Sequence, residues 1–352
     1  MSEQIAFVFP GQGSQAVGMG ADVFSASPAA HAVFDLADAA VGFPLAQLCF
    51  SGPEAALRET INTQPALVAT SLALLAALQE AAGTPFTSGG DPALSAPLRP
   101  AYVAGHSVGE YAALAASGAL GISETLRLVR ERGRLMHQEG QACDSGMAAV
   151  LGLDAQALQA VCAEATERTR DDLRAAGQLG ADAHPGAGVV VLANDNAPGQ
   201  IVISGARRAL DLAMELARER GAKRVVPLAV SGAFHSPVMA PAALGLAKAV
   251  DAAPIQNAAV PLVANMTAEP LVMAGDLRSE LAHQIEAPVL WTRSIEYLVS
   301  QGVTTFVEIG VGQVLAGLIK RIAKGTTTLA VGSAADVAPI AAQLRERLGG
   351  PA

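Results

Sequence analysis

The chain has 352 residues, enough for one large domain or two ordinary ones, with 51% hydrophobic and 16% charged residues. That balance excludes a disordered or fibrous protein, and a formal net charge of −9 argues against general nucleic-acid binding. Three cysteines, Cys49, Cys143 and Cys162, have no metal-like spacing and fit a reduced, cytoplasmic protein.

The first predicted element is the buried strand "IAFVF" at Ile5–Phe9, entered without a basic leader, so no signal peptide is expected. The loop after it, "FPGQGSQAVGMG", fits a relaxed dinucleotide fingerprint at Gly11–Ala16. The acidic residue that should end a second strand is missing, because Asp35 and Asp38 fall in a helical pattern, and that reading is rejected. The glycines are better read as letting the Gln12 N–H approach a ligand. The longest apolar run, "ALVATSLALLAAL" from Ala66, is broken by Thr and Ser and is too short to span a membrane. Residues 83–100 read as a surface excursion.

A second strand, "AYVAG", leads into Gly105-His106-Ser107-Val108-Gly109 and then an alanine-rich helix. Gly-x-Ser-x-Gly between strand and helix is the context of a nucleophile elbow, in which the turn exposes the serine hydroxyl. It also aims the Val108 N–H and the helix N-terminus at a developing oxyanion. The alternative is an ordinary small-residue helix start. In the next helix, Ser123–His137, Arg132 falls inside the apolar stripe of Leu128, Val129, Leu135 and Met136. A buried guanidinium requires an anion, either a protein carboxylate such as Glu110 or the carboxylate of a substrate. The second choice implies an acyl group with a free carboxylate at its far end.

The middle of the chain reads β-α-β-β-α-β: "MAAVLGL", a helix from Asp154 to about Thr166, "VVVLAN", "QIVISG", a helix from Ala206 to Gly221, and "KRVVPLAV". That order predicts an inserted ferredoxin-like subdomain at 142–231 within a larger α/β domain made from 1–141 and 232–352, with a parallel central sheet. Residues 168–188 read as a second loose excursion. Among the histidines, His31 and His184 are expected to be solvated, His137 sits at a helix end, and His106 lines the site. His235, in "SGAFHSPVM", follows a strand and precedes Ser236-Pro237, a good N-cap with proline at N1. It is the candidate base, kept neutral by a helix N-terminus, or else a histidine packed in a loop.

The combination of "FVFPGQGSQ", "GHSVGEYAAL", "RGRLM", "NDNAPGQIVISG", "AFHSPVM", "QIEAPVLW" and "FVEIGVGQVLAGLIKRI" resembles the malonyl-CoA:acyl-carrier-protein transacylases of bacterial fatty-acid synthesis, from about Ile5 to Ile322. The resemblance implies a hydrolase-like α/β domain with a ferredoxin-like insert. It implies Ser107 as the acylated nucleophile, His235 as base, and Arg132 as the partner of the malonyl carboxylate. It also implies the amides of Gln12 and Val108 as oxyanion hole. Gln284 would orient the histidine through its main-chain carbonyl, and Phe234 would exclude α-branched acyl units. Asn194 and Asn196 belong to a motif lining the subdomain cleft. The expected activity is ping-pong transfer from malonyl-CoA to the phosphopantetheine thiol of acyl carrier protein, with a CoA thioester as substrate, no permanently bound cofactor and no metal. A cytoplasmic monomer with no membrane or nucleic-acid partner is expected. Departures from the family are the long 168–188 and 83–100 segments and "VGQ" at Val311–Gln313. Alternatives are the transacylase of a polyketide or malonate decarboxylase system, an esterase or thioesterase, and an inert docking scaffold. Arg127, Arg130, Arg207, Arg208, Lys320, Arg321 and Lys324 are candidate contacts for an acidic carrier.

Overall fold

The computed structural model describes residues 4–84, 98–180 and 183–348. Among the described residues, ten strands run in chain order as β1 Gln4–Phe9, β2 Tyr102–Gly105, β3 Ser145–Leu151, β4 Val190–Ala197, β5 Gln200–Ala206, β6 Arg224–Pro227, β7 Leu262–Val263, β8 Pro270–Leu271, β9 Val303–Ile309 and β10 Thr327–Val331. They form two sheets. The six-stranded sheet has the order β10-β9-β1-β2-β7-β8 and is parallel except for the β7–β8 pair. Ile5 to Phe9 are wholly buried, as a continuous apolar strand covered by helices on both faces must be. The second sheet is antiparallel with the order β4-β5-β3-β6, and the helices Ala155–Ala175 and Arg207–Glu219 pack on it. Its chain order is therefore strand-helix-strand-strand-helix-strand.

The helix Thr60–Ala81 is long and apolar enough to cross a membrane by length and composition alone, yet 89% of its apolar window is buried in the protein. It is the central core helix, sheathed by the helices Pro28–Val41 and Ile122–Ala142.

The expectation for the loop 168–188 changes. The segment 168–188 begins as helix: the one predicted to end near Thr166 continues to Ala175. Ion pairs at helical spacing, Glu164 to Arg168 and Asp171 to Arg174, support the extra turns, and Thr169 turns inward. The later part is anchored as well. Gly186 approaches Val238 so closely that a Cβ there would lie 2.5 Å from its Cγ2. His184, expected in solvent, instead meets Glu139 Oε1 at 2.8 Å. The expectation for 83–100 falls mainly on 85–97, outside the described residues.

Candidate active site

Strand β2 stops at Gly105 and the helix Gly109–Ala116 starts four residues later. The turn leaves no room for side chains at either glycine. A Cβ on Gly105 would sit 2.0 Å from the Gly109 carbonyl carbon, and one on Gly109 would sit 2.2 Å from Phe9 O. Ser107 takes φ 52°, a left-handed conformation that a non-glycine residue adopts at a cost of about 1–2 kcal/mol. His235 is left-handed too, at φ 58°. Among the described residues only Ala268 joins these two as a non-glycine residue with positive φ, so the unusual backbone concentrates on the expected nucleophile and base.

The two side chains meet. Ser107 Oγ lies 2.7 Å from His235 Nε2. His235 Nδ1 lies 3.0 Å from both Gln284 O and Ala287 O. Carbonyls only accept, so Nδ1 carries the ring proton and Nε2 is left free to take the serine's. Burial pushes the imidazole down to about 3, with the Arg132 positive charge as the next cause. Neutrality therefore rests on burial and Arg132 more than on the helix terminus invoked from the sequence. Ser236 does cap as expected, its side chain accepting from Val238 N, ahead of Pro237.

Arg132 is 1% exposed, and no ion pair engages it among the described residues. The alternative of a direct Glu110 partner is not what the structure contains. Arg132 donates instead to Gln64 Oε1 at 2.5 Å, to Gln284 Oε1 at 2.8 Å and to Ser107 Oγ at 3.3 Å. Its Nε has no partner, and its guanidinium lies 5.5 Å from the Tyr111 ring centroid. A buried charge with only neutral hydrogen-bond partners, beside the serine that His235 contacts, has the chemistry to pair with an anion.

The remaining expected residues converge on one cavity of about 330 Å³. Gln12, His106, Ser107, Val108 and Arg132 line it from the large sheet's side, and Asn194 and Asn196 line it from β4. Phe234 and His235 complete the wall. No hydrogen bond among the described residues engages the N–H of Gln12 or Val108, which leaves both donors for a ligand. Gly11 makes that approach possible, since a Cβ there would lie 2.5 Å from His106 O. His106 reaches across to Asn196 Oδ1 at 2.8 Å and packs edge-on against Trp291. Burial lowers its pKa, so it is neutral with the proton on Nε2. Most basic candidates for a carrier surface are already engaged within the chain: Arg127 with Glu124, Arg207 with Asp144, Arg208 with Asp172, and Arg321 with Gln200 and Pro198 O.

Sequence reading missed Asn265 and gave Glu110 no part in the elbow. Asn265 Oδ1 accepts from the Ser107 N–H at 2.7 Å, and its Nδ2 donates to Gly105 O at 2.7 Å. Burial and the nearby Glu280 push the Glu110 pKa up, while N–H donors from Asn265 and Gln284 pull it back. The only local signal was a glutamate in the first turn of an apolar helix, where a charge needs partners. Gln284 was expected to act through its carbonyl, and its side chain is engaged too, donating to Ser107 O at 3.0 Å.

The family model described as "Acyl transferase domain" matches residues 6–341. The malonyl CoA-acyl carrier protein transacylase of Bacillus subtilis is 42% identical over 328 residues, covering 93% of each chain. The crystal structure of an acyl carrier protein S-malonyltransferase from Vibrio cholerae superposes with a TM-score of 0.84 at 35% identity, covering 96% of this chain and 100% of that one. A malonyl-transacylase solved in complex with a type II polyketide acyl-carrier protein gives a TM-score of 0.83 at 34% identity, covering 97% of this chain and 100% of that one. The chain belongs to the acyl transferase domain family, as a member of its malonyl-CoA:acyl-carrier-protein transacylase branch.

Proposed function

We propose that the chain transfers a malonyl group from malonyl-CoA to the phosphopantetheine thiol of acyl carrier protein through a malonyl-serine intermediate, in fatty-acid synthesis. The observation that carries this reading is Arg132: buried, without a carboxylate partner, and 3.3 Å from the hydroxyl that His235 activates. Malonyl-CoA, a CoA thioester, is the acyl donor. His235 Nε2 takes the Ser107 proton as Oγ bonds to the thioester carbon. The oxyanion is met by the N–H groups of Gln12 and Val108. The carbon–sulfur bond breaks, and the imidazolium proton goes to the departing CoA thiolate. The carrier thiol then reverses these steps.

The malonyl carboxylate pairs with Arg132. It thereby cancels the positive charge that weakens His235 as a base, so the substrate that fits also sharpens the base. An acyl group without a carboxylate leaves the guanidinium buried and unpaired. Phe234, at 6% exposure on the cavity wall, restricts branching at the α-carbon. The antiparallel sheet with its two helices is a ferredoxin-like insert at 142–231 within the large domain of 1–141 and 232–352. The site lies at the seam between them.

Incubation with malonyl-CoA should add one malonyl mass to the intact protein, and Ser107→Ala should add none. Arg132→Ala should lower the malonyl-to-acetyl preference at least about tenfold, since a buried charge pair is worth several kcal/mol. Equal malonylation of Ser107→Ala would overturn the assignment. The relative bound to a polyketide carrier keeps a second acceptor in view. Carriers of either pathway, offered to the malonylated protein, decide between them by the rate at which the serine is cleared.

A further inference from the structure

Resting on the acyl-transfer reading above, we propose that Glu110 is a positioning residue for the reaction: through Asn265 and Gln284 its carboxylate fixes the backbone on both sides of Ser107. Glu110 has no exposed surface, and each of its oxygens holds a different carboxamide. Oε1 accepts from the Asn265 backbone N–H and from Asn265 Nδ2, each at 2.8 Å. Oε2 accepts from Gln284 Nε2. Three N–H donors converge on the Glu110 carboxyl, two on Oε1 and one on Oε2, so both oxygens act as acceptors. It therefore decides which way both amides face. The NH₂ end of each must point at Glu110, and the oxygen of each must point away.

The consequence falls on Ser107. Asn265 Oδ1, so turned, accepts from the Ser107 N–H at 2.7 Å. Gln284 Nε2 also donates to Ser107 O at 3.0 Å. One peptide group before the serine and one after it are thus pinned around a left-handed residue whose φ of 52° is unfavourable by itself. The second amide has a further duty, since Gln284 Oε1 faces Arg132 Nη2 at 2.8 Å. Glu110 touches neither the hydroxyl nor the cavity. It acts by holding the nucleophile at the angle where His235 and the free amides can use it.

Glu110→Gln is the same size but replaces one acceptor with an NH₂, so one amide must turn or lose its bond. Asn265→Ala removes one limb of the clamp with less disturbance to the core. Each variant is compared with the parent enzyme by thermal unfolding and by the single-turnover acylation rate per folded molecule. The rate is read with malonyl-CoA and with a neutral fluorophosphonate, which needs the serine and histidine but no malonyl group. The expected result is a fall in acylation rate of at least about tenfold with both reagents, with the malonyl-CoA concentration at half-saturation changed less than about threefold. Rates per folded molecule within about twofold of the parent overturn the proposal, because a purely structural glutamate would cost stability alone. A rise in half-saturation with the rate kept overturns it as well. If Glu110→Gln does not fold, Asn265→Ala is judged by the same criteria. Failure of the parent itself to take malonyl would instead count against the proposed substrate, and the fluorophosphonate arm would still test Glu110.

Discussion

His235 is held neutral by burial and by Arg132, which push it down to about 3. An imidazole near its ordinary value of about 6.5 would impose an acid limb on the rate close to that pH. In this site the imidazole stays neutral well below it. The profile of kcat/KM for serine acylation should therefore be flat from about pH 5 to 8, because it reports the free enzyme. Two other buried groups bear on the range: burial pushes Glu280 up to about 7, and burial together with the Glu280 charge pushes Glu110 up, so removing Glu280 eases both. The measurement belongs in a Glu280→Gln background, where a limb near 6.5 would contradict the assignment. Ser107, His235 and Arg132 were legible from the sequence because each carries a local signal: an elbow, a capped turn, and a charge in an apolar stripe. Asn265 was not legible. It lies 158 residues from Ser107, in a stretch with no motif, and only the pairing of β7 beside β2 brings it to the elbow.

The elbow as an element depends on two glycines whose roles oppose local propensity. Gly109 opens a helix, where alanine is ordinarily favoured over glycine by about 1 kcal/mol. Here the Cβ would press to 2.2 Å from Phe9 O, in the buried strand beneath the turn. Gly109→Ala should consequently destabilise by about 3 kcal/mol or more, visible as a lower unfolding midpoint in denaturant, and it should displace Ser107. A neutral or stabilising change would show that the turn can relax. The strand-turn-helix order was readable because the apolar run, the glycines and the alanine-rich pattern follow one another without interruption. The helix Ala155–Ala175 was read nine residues too short, from Thr166 to Ala175. Its last turns are charged almost throughout, and a solvated helical face of that kind is hard to tell from a polar loop without the ion pairs that secure it.

At the scale of the molecule the cavity belongs to two sheets, and the elbow's own link to the smaller one is the bond from His106 to Asn196. The alternation of strands and helices made both sheets legible, whereas their mutual placement depended on contacts far apart in sequence. Three backbone and side-chain ties flank that bond: Asp195 N to Val289 O at 2.9 Å, Val289 N to Ala193 O at 2.8 Å, and Thr292 Oγ1 to Asp195 Oδ1 at 2.8 Å. They hold β4 against the segment that enters the helix Trp291–Ser300. The His106–Asn196 bond differs from them in lying on the cavity wall itself. Asn196→Leu keeps the size but leaves the half-buried His106 N–H without its partner, a loss of about 1 kcal/mol concentrated at the seam. Both sheets keep their own cores, so the cost should appear as looser docking of one on the other. Hydrogen exchange should quicken along β4 and stay unchanged in β1 and β9. The KM for malonyl-CoA should rise about tenfold, with a smaller change in kcat, because the serine, histidine and arginine all sit on the large-sheet side. A fall in kcat at unchanged KM would instead place Asn196 in the chemistry rather than in the closure of the cleft.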